Sequence, residues 1–131
     1  MTYTLSIHGK PATKGSTVSF LSRGGKVITR TDSARLVPWT DAVRWACREA
    51  RMELAGPDTP IHVSATFVVP RPKTTKRTHP TTRPDIDKWA RALLDALTGM
   101  AYADDAQVIG LNVDKCYGTA WVTHVQVTVA A

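Results

Sequence analysis

Two pairs of aspartates flank one helical stretch of the sequence, and carboxylates with this spacing can bind a metal ion. Asp85 and Asp87 stand one residue apart where a helix should begin, because Pro84 breaks any helix that arrives from upstream. Asp104 and Asp105 form the second pair, after the helical pattern has ended. Two separate segments can therefore contribute ligands to one site.

The helix predicted between the two aspartate pairs has two distinct faces. Its apolar residues recur at the spacing of an amphipathic helix and predict the buried side: Ile86, Ala90, Leu93, Leu94 and Leu97. On the opposite side, Asp87, Arg91 and Asp95 recur every four residues. Asp87 and Arg91 are thus expected to point the same way.

A single carboxylate site requires the chain to fold back along this helix. The helix rises about 15 Å from Asp87 to Leu97, and the stretch from Leu97 to Asp105 can extend to about 27 Å, so closure is allowed. The same residues also fit a helix capped by Asp85 and followed by an ordinary polar turn. For Asp85 alone the cap is the better interpretation, whereas several carboxylates gathered beside arginines favour a site.

The candidate ligands are oxygen donors in a basic protein. Carboxylates without neighbouring Cys or His favour Mg²⁺ or Mn²⁺ over zinc. The net charge of +6 over 131 residues indicates a polyanionic partner, with nucleic acid as the first interpretation and an anionic membrane as the second. Together these features predict metal-assisted hydrolysis of a phosphodiester, in which the metal lowers the pKa of an attacking water.

The run RPDIDKWARALLDALTG followed by YADDAQVIG resembles the RusA-type family of Holliday junction resolvases, which has RPDxDN…K…LDALxG and then DDxQV. The resemblance implies a crossover junction endodeoxyribonuclease acting on four-way DNA, with Asp85, Asp87 and Asp105 as metal ligands. Two residues depart from the pattern: Lys88 replaces the family's Asn, and Arg91 replaces its essential lysine. An arginine can stabilise charge at phosphorus but cannot release a proton near neutral pH.

The segment from 70 to 84 is predicted to be an irregular basic loop, because it has several prolines and no acid. A basic loop leading directly into the carboxylates suits contact with DNA phosphates, which requires no base recognition. The predicted DNA-binding residues are Lys14, Arg71, Lys73, Lys76, Arg77, Arg83 and Lys115. For any one of them a solvated surface cation is the alternative, and for Lys115 the two interpretations are equally good.

The remaining pattern predicts a single α+β domain over residues 1–131, with a mixed β-sheet and two helices packed on one face. Alternating residues predict strands at 2–8, 61–69, 108–115 and 120–129, the last two as a hairpin, and a short hairpin from segments 18–21 and 26–31. Apolar residues at helical spacing, with Trp39 on the apolar stripe, predict a helix from Val37 to about Leu54. Cys47 and Cys116 form no metal or disulfide pattern and are interpreted as free thiols.

Three interpretations of the function remain open from the sequence. The first is a Mg²⁺-dependent resolvase (Mn²⁺ as substitute) that makes paired symmetric nicks as a homodimer, because a junction presents two strands related by an approximate two-fold axis. The alternatives are a non-catalytic DNA-binding module, in which Arg91 has replaced chemistry, and a related metal nuclease acting on flaps or RNA. No apolar run approaches the roughly 20 residues of a membrane span, so a cytoplasmic protein without a membrane partner is expected.

Overall fold

The computed structural model describes residues 1–14, 17–31 and 34–130, with the backbone alone at 17–20 and 28–31; residues 15–16, the end of the basic segment after the first strand, lie outside this description. In chain order the elements are β1 (Thr2–His8), β2 (Thr17–Leu21), β3 (Val27–Thr31), α1 (Leu36–Glu49), β4 (Ile61–Pro70), α2 (Ile86–Leu97), a 3₁₀ helix (Asp105–Gln107), β5 (Val108–Gly118) and β6 (Val122–Val129). The first strand, the β2–β3 hairpin and β4 lie where the sequence predicts them.

Four strands form a mixed sheet in the order β1–β6–β4–β5. β6 pairs antiparallel with both β1 and β4, whereas β4 and β5 run parallel. β5 therefore runs antiparallel to β6 but lies at the edge of the sheet. The predicted mixed sheet is confirmed.

The predicted hairpin of the last two strands is wrong, because β4 lies between β5 and β6. β4 and β6 both have fully buried apolar residues, such as Phe67 and Val125, and take the two central positions, whereas no residue of β5 is fully buried and β5 lies at the edge. Between β5 and β6 the chain must then cross two strand spacings, about 10 Å. The stretch from Gly118 to Val122 is long enough, because it spans about 13 Å when extended.

One face of the sheet is apolar and covered, and the other is polar and open. Leu5, Val125 and Ala65 lie in register on the covered face, and all three are buried. On the open face, Ser6 stands in register with His124. The buried side chains of α1 and α2 belong to the same core as the covered face, so both helices pack on one side, as predicted.

α1 ends at Glu49, earlier than the predicted end near Leu54, which is exposed. Arg51 adopts a left-handed backbone with φ of 54°. The Arg51 amide donates to the Arg48 carbonyl and the Met52 amide to the Cys47 carbonyl, each at 3.0 Å, which is a Schellman closure. Trp39 is buried as predicted. In the described ranges, no helix is long and apolar enough to cross a membrane.

The two cysteines are free, as predicted, and they differ in surroundings. Cys47 is buried in the core, and this burial raises the pKa of its thiol to about 11 although Arg44 and Arg48 oppose the shift. Since the thiolate is the reactive form, Cys47 should stay unreactive at pH 8. We expect a thiol reagent to label Cys116 in the native protein and both cysteines only after denaturation; rapid native labelling of Cys47 would contradict the packing described here.

Candidate active site

The start of α2 presents the first aspartate pair to solvent. Asp85 occupies the N-cap position with an extended backbone, ψ 141°, but its side chain makes no capping hydrogen bond. Asp87 lies in the first helical turn and is exposed. The positive end of the helix dipole favours negative charge at both positions. The capping interpretation of Asp85 thus describes its position, while its carboxylate is left available for a ligand.

Asp87, Arg91 and Asp95 form one ridge along α2, each about 6 Å from the next along the helix axis. Asp87 and Arg91 are exposed and Asp95 is half-buried. Within the described residues, the Arg91 guanidinium has no hydrogen bond or ion pair to the protein. It therefore stands one turn beyond Asp87 and, as far as the described part of the chain extends, has no partner for its donors.

The return of the chain after α2 is a tight turn fixed by Tyr102. The Tyr102 hydroxyl donates to the Leu94 carbonyl at 2.7 Å, and the Gly99 amide donates to the Tyr102 carbonyl at 2.7 Å. Burial, and secondly the Asp105 carboxylate, raise the pKa of the Tyr102 hydroxyl well above its ordinary value. Tyr102 therefore remains a protonated donor at neutral pH and holds the next residues against the last turns of α2.

The two carboxylates of the second aspartate pair have different roles. Asp104 Oδ1 accepts a hydrogen bond from the Ala106 amide at 2.9 Å and caps the 3₁₀ helix. Asp105, the first residue of that helix, is exposed, and in the described part of the chain its carboxylate accepts no hydrogen bond. Asp105 is thus the member of the pair whose oxygens are available.

Gln107 holds this aspartate turn in place. Its Oε1 accepts from the amides of Ala103 and Asp104 at 3.0 and 3.2 Å. Its Nε2 donates to the carbonyls of Gly56 and Thr59 at 2.8 and 3.1 Å. Gln107 is the Gln of the DDxQV segment, and a Gln three residues after an Asp is also the signal of a capping box.

Gln107→Leu should lower the free energy of unfolding by about 2–3 kcal/mol, because four partly buried backbone groups lose their hydrogen-bond partner. Urea titration measures the loss, and Gln126→Leu on the open face of β6 is the matched control, with an expected change within about 0.5 kcal/mol. Equal stability of the two variants would contradict the role given to Gln107.

Lys14 reaches the far end of the same ridge. Its amide donates to the Lys88 carbonyl at 3.2 Å, and its ammonium lies 2.6 Å from Asp95 Oδ2. Lys14 and Asp95 line a pocket together with Thr98, Ala103, Asp104 and Asp105. The ion pair is partly exposed and contributes about 0–1 kcal/mol to stability. The ion pair holds the Lys14 ammonium in the pocket that Asp105 also lines.

The three predicted ligands are not gathered at one point. Asp105 shares its pocket with Asp95, which lies about 12 Å beyond Asp87 along the helix axis. Among residues 1–14, 17–31 and 34–130, no three His, Cys, Asp or Glu side chains are placed to hold a metal ion. The free Asp85 and Asp87 carboxylates do suit Mg²⁺, which commonly takes one or two carboxylates and completes its octahedron with waters and substrate phosphates.

The predicted basic loop connects β4 to α2 and has no helix or strand of its own. Arg71 Nη2 donates to the carbonyls of Thr75 and Arg77 at 3.4 and 3.3 Å, so this guanidinium also braces the loop. The other predicted loop cations, Lys73, Lys76, Arg77 and Arg83, are exposed. Lys115, in contrast, donates to backbone carbonyls at the end of the loop.

Comparison with known proteins adds two findings. The family model described as endodeoxyribonuclease RusA matches residues 9–130, nearly the whole chain. Uncharacterized protein YqaN of Bacillus subtilis (strain 168) is 29% identical over 126 residues, covering 86% of this chain and 85% of that protein.

Proposed function

The chain belongs to the RusA endodeoxyribonuclease family, and on that premise we propose that it is a Mg²⁺-dependent crossover junction endodeoxyribonuclease in DNA recombination and repair. Members of this family are endodeoxyribonucleases that bind branched DNA and in general depend on a divalent metal. The observation that best supports the proposal is the pair of carboxylates at the start of α2, directly after a basic loop and one turn before Arg91, which have no side-chain partner among the residues that the structure describes.

Asp85, Asp87 and Asp105 are proposed to hold two metal ions, the first on Asp85 and Asp87 at the start of α2 and the second on Asp105 in its pocket beside Asp95, with Mn²⁺ as a substitute for Mg²⁺. When bound, the ions would supply Lewis-acid stabilisation and a water of lowered pKa. Arg91 would donate hydrogen bonds to a non-bridging oxygen of the scissile phosphodiester and offset the charge that builds up at phosphorus. An arginine, unlike a lysine, does not release a proton near neutral pH, so Arg91 would not act as the general acid for the leaving oxygen.

The proposed DNA contacts are phosphate contacts on the basic loop and its surroundings. Exposed cations on an irregular segment can reach the backbone of DNA without reading bases. The residues assigned to this role are Lys14, Arg71, Lys73, Lys76, Arg77 and Arg83. Lys115 is already hydrogen-bonded to two carbonyls and is given a different role below.

Paired symmetric nicks require two active sites related by a two-fold axis, so we propose that the working form is a homodimer. Each protomer would cut one of two opposed strands of the junction. The protein would act in the cytoplasm, together with its DNA substrate.

A non-catalytic junction-binding module is the second candidate, favoured by Arg91 at the position of the family's lysine. A related nuclease acting on flaps or RNA is the third. Cleavage of a four-way junction, a flap, a linear duplex, a single strand and an RNA hairpin at matched salt separates the three. We expect junction cleavage in Mg²⁺ and none in EDTA. Tight junction binding without cutting in Mg²⁺ or Mn²⁺ would support the binding module. Preferred cutting of flaps or RNA would support the third candidate.

A further inference from the structure

Lys115 lies on the covered face of the sheet, although it is a charged residue of the edge strand. It stands in register with the buried Phe67 of β4. Its ammonium lies 5.6 Å from the ring centroid of Trp89, a buried residue in the first turn of α2. The aliphatic stem can pack among apolar neighbours while the aromatic face attracts the charged end. Lys115 therefore joins the edge strand to the start of α2.

The Lys115 ammonium is bonded to the last residues of the basic loop. Nζ donates to the Thr82 carbonyl at 2.9 Å and to the Pro84 carbonyl at 3.1 Å. An ammonium group has three donors, so two of them are used by backbone groups. Pro84 directly precedes Asp85, the N-cap of α2. These bonds fix the chain at the point where it delivers the first proposed metal ligand.

We infer that Lys115 is a positioning residue, which anchors the end of the basic loop to the sheet and thereby sets the direction of Asp85. A lysine that turned away from the loop to contact phosphate would leave both carbonyls without their donor. The chemical part of this inference rests on the proposed nuclease function. The structural part does not, since the contacts join Lys115 to the protein itself.

Three variants test this role. Lys115→Met keeps the stem and removes the donors, and Lys115→Arg restores charge and donors. Lys73→Met removes an exposed loop cation assigned to phosphate contact. Without metal, we expect ¹⁵N order parameters at Arg83 and Asp85 to fall from about 0.85 towards 0.6 in Lys115→Met, and to stay high in Lys115→Arg and Lys73→Met.

Junction binding in EDTA at several salt concentrations separates anchoring from phosphate contact. Each phosphate contact contributes about 0.9 to the slope of log affinity against log salt. Lys73→Met should lower this slope by about one, and Lys115→Met should leave it unchanged. In single-turnover reactions with saturating protein and Mg²⁺, Lys115→Met should cut at least about tenfold more slowly, because displacement of a group in the site by about 1 Å costs up to about 10² in rate.

Unchanged order at Arg83 and Asp85 in Lys115→Met would overturn the inference, and so would a salt slope lowered to the value of Lys73→Met. Loss of order with an undiminished cutting rate would reduce Lys115 to a structural residue and overturn its positioning role. Failure of the wild type to cut any substrate would refute the proposed function alone, because order and salt slope are measured without metal.

Discussion

Asp87→Asn is expected to lower the rate of junction cleavage by about 10³-fold while junction binding is retained. Asp87 is exposed in the first turn of α2 and, like Asp85, has no capping bond that substitution would break. A metal ion contributes several kcal/mol of transition-state stabilisation, and each 1.36 kcal/mol is about tenfold in rate. Asparagine preserves size and shape but is a far weaker ligand for a hard cation. Removing a negative charge near DNA should leave binding equal or slightly tighter.

Single-turnover cleavage and junction affinity measured side by side check this result. Asp41→Asn, at an exposed position of α1, is the matched control and should cut at the wild-type rate. Equal rates for Asp87→Asn and wild type would remove Asp87 from the reaction. Joint loss of cutting and binding would instead indicate a role in folding or in DNA contact.

Arg91→Ala is expected to lower the cleavage rate by about 10²-fold with little change in affinity. Removal of a donor placed to stabilise developing charge costs about 10²–10³ in rate. The Arg91 side chain is exposed on the ridge one turn beyond Asp87, so its loss creates no cavity. Arg91→Lys keeps the charge but loses the planar pair of donors, and we expect a rate within about tenfold of wild type.

Arg48→Ala on the exposed side of α1 is the control for loss of one positive charge. If Arg91→Ala cut as fast as this control, Arg91 would have no part in the reaction. A rate for Arg91→Lys far above wild type would also contradict the expectation, since it would show that the arginine restrains a reaction which a lysine supports.

The elements nearest the candidate site were predictable because their signals are local. Pro84 marks the start of α2, and the apolar spacing after it predicts the buried face. The end of α1 was not predictable, because the left-handed residue that follows the helix is Arg51. A glycine at this position would have indicated a helix C-terminus. The hairpin of β5 and β6 was wrong because strand order depends on which strand has most apolar surface to bury, a property of the whole sheet.

Side-chain roles at the site were only partly predictable. Asp104 and Asp105 look alike in the sequence, and only the fold reveals that Asp104 caps the 3₁₀ helix. The contacts of Lys14 with Asp95 and of Lys115 with Thr82 and Pro84 join residues far apart in the chain, so no spacing rule announces them. The sequence predicts both lysines only as cations that could contact phosphate.

The most direct measurement is to map the nicks on all four strands of one immobile four-way junction, each strand labelled in turn, in Mg²⁺ and in EDTA. A homodimeric resolvase predicts Mg²⁺-dependent nicks at equivalent positions on two opposed strands at the branch point, and intact strands in EDTA. Cuts on one strand only, cuts away from the branch point, or intact strands despite tight binding in Mg²⁺ would contradict it.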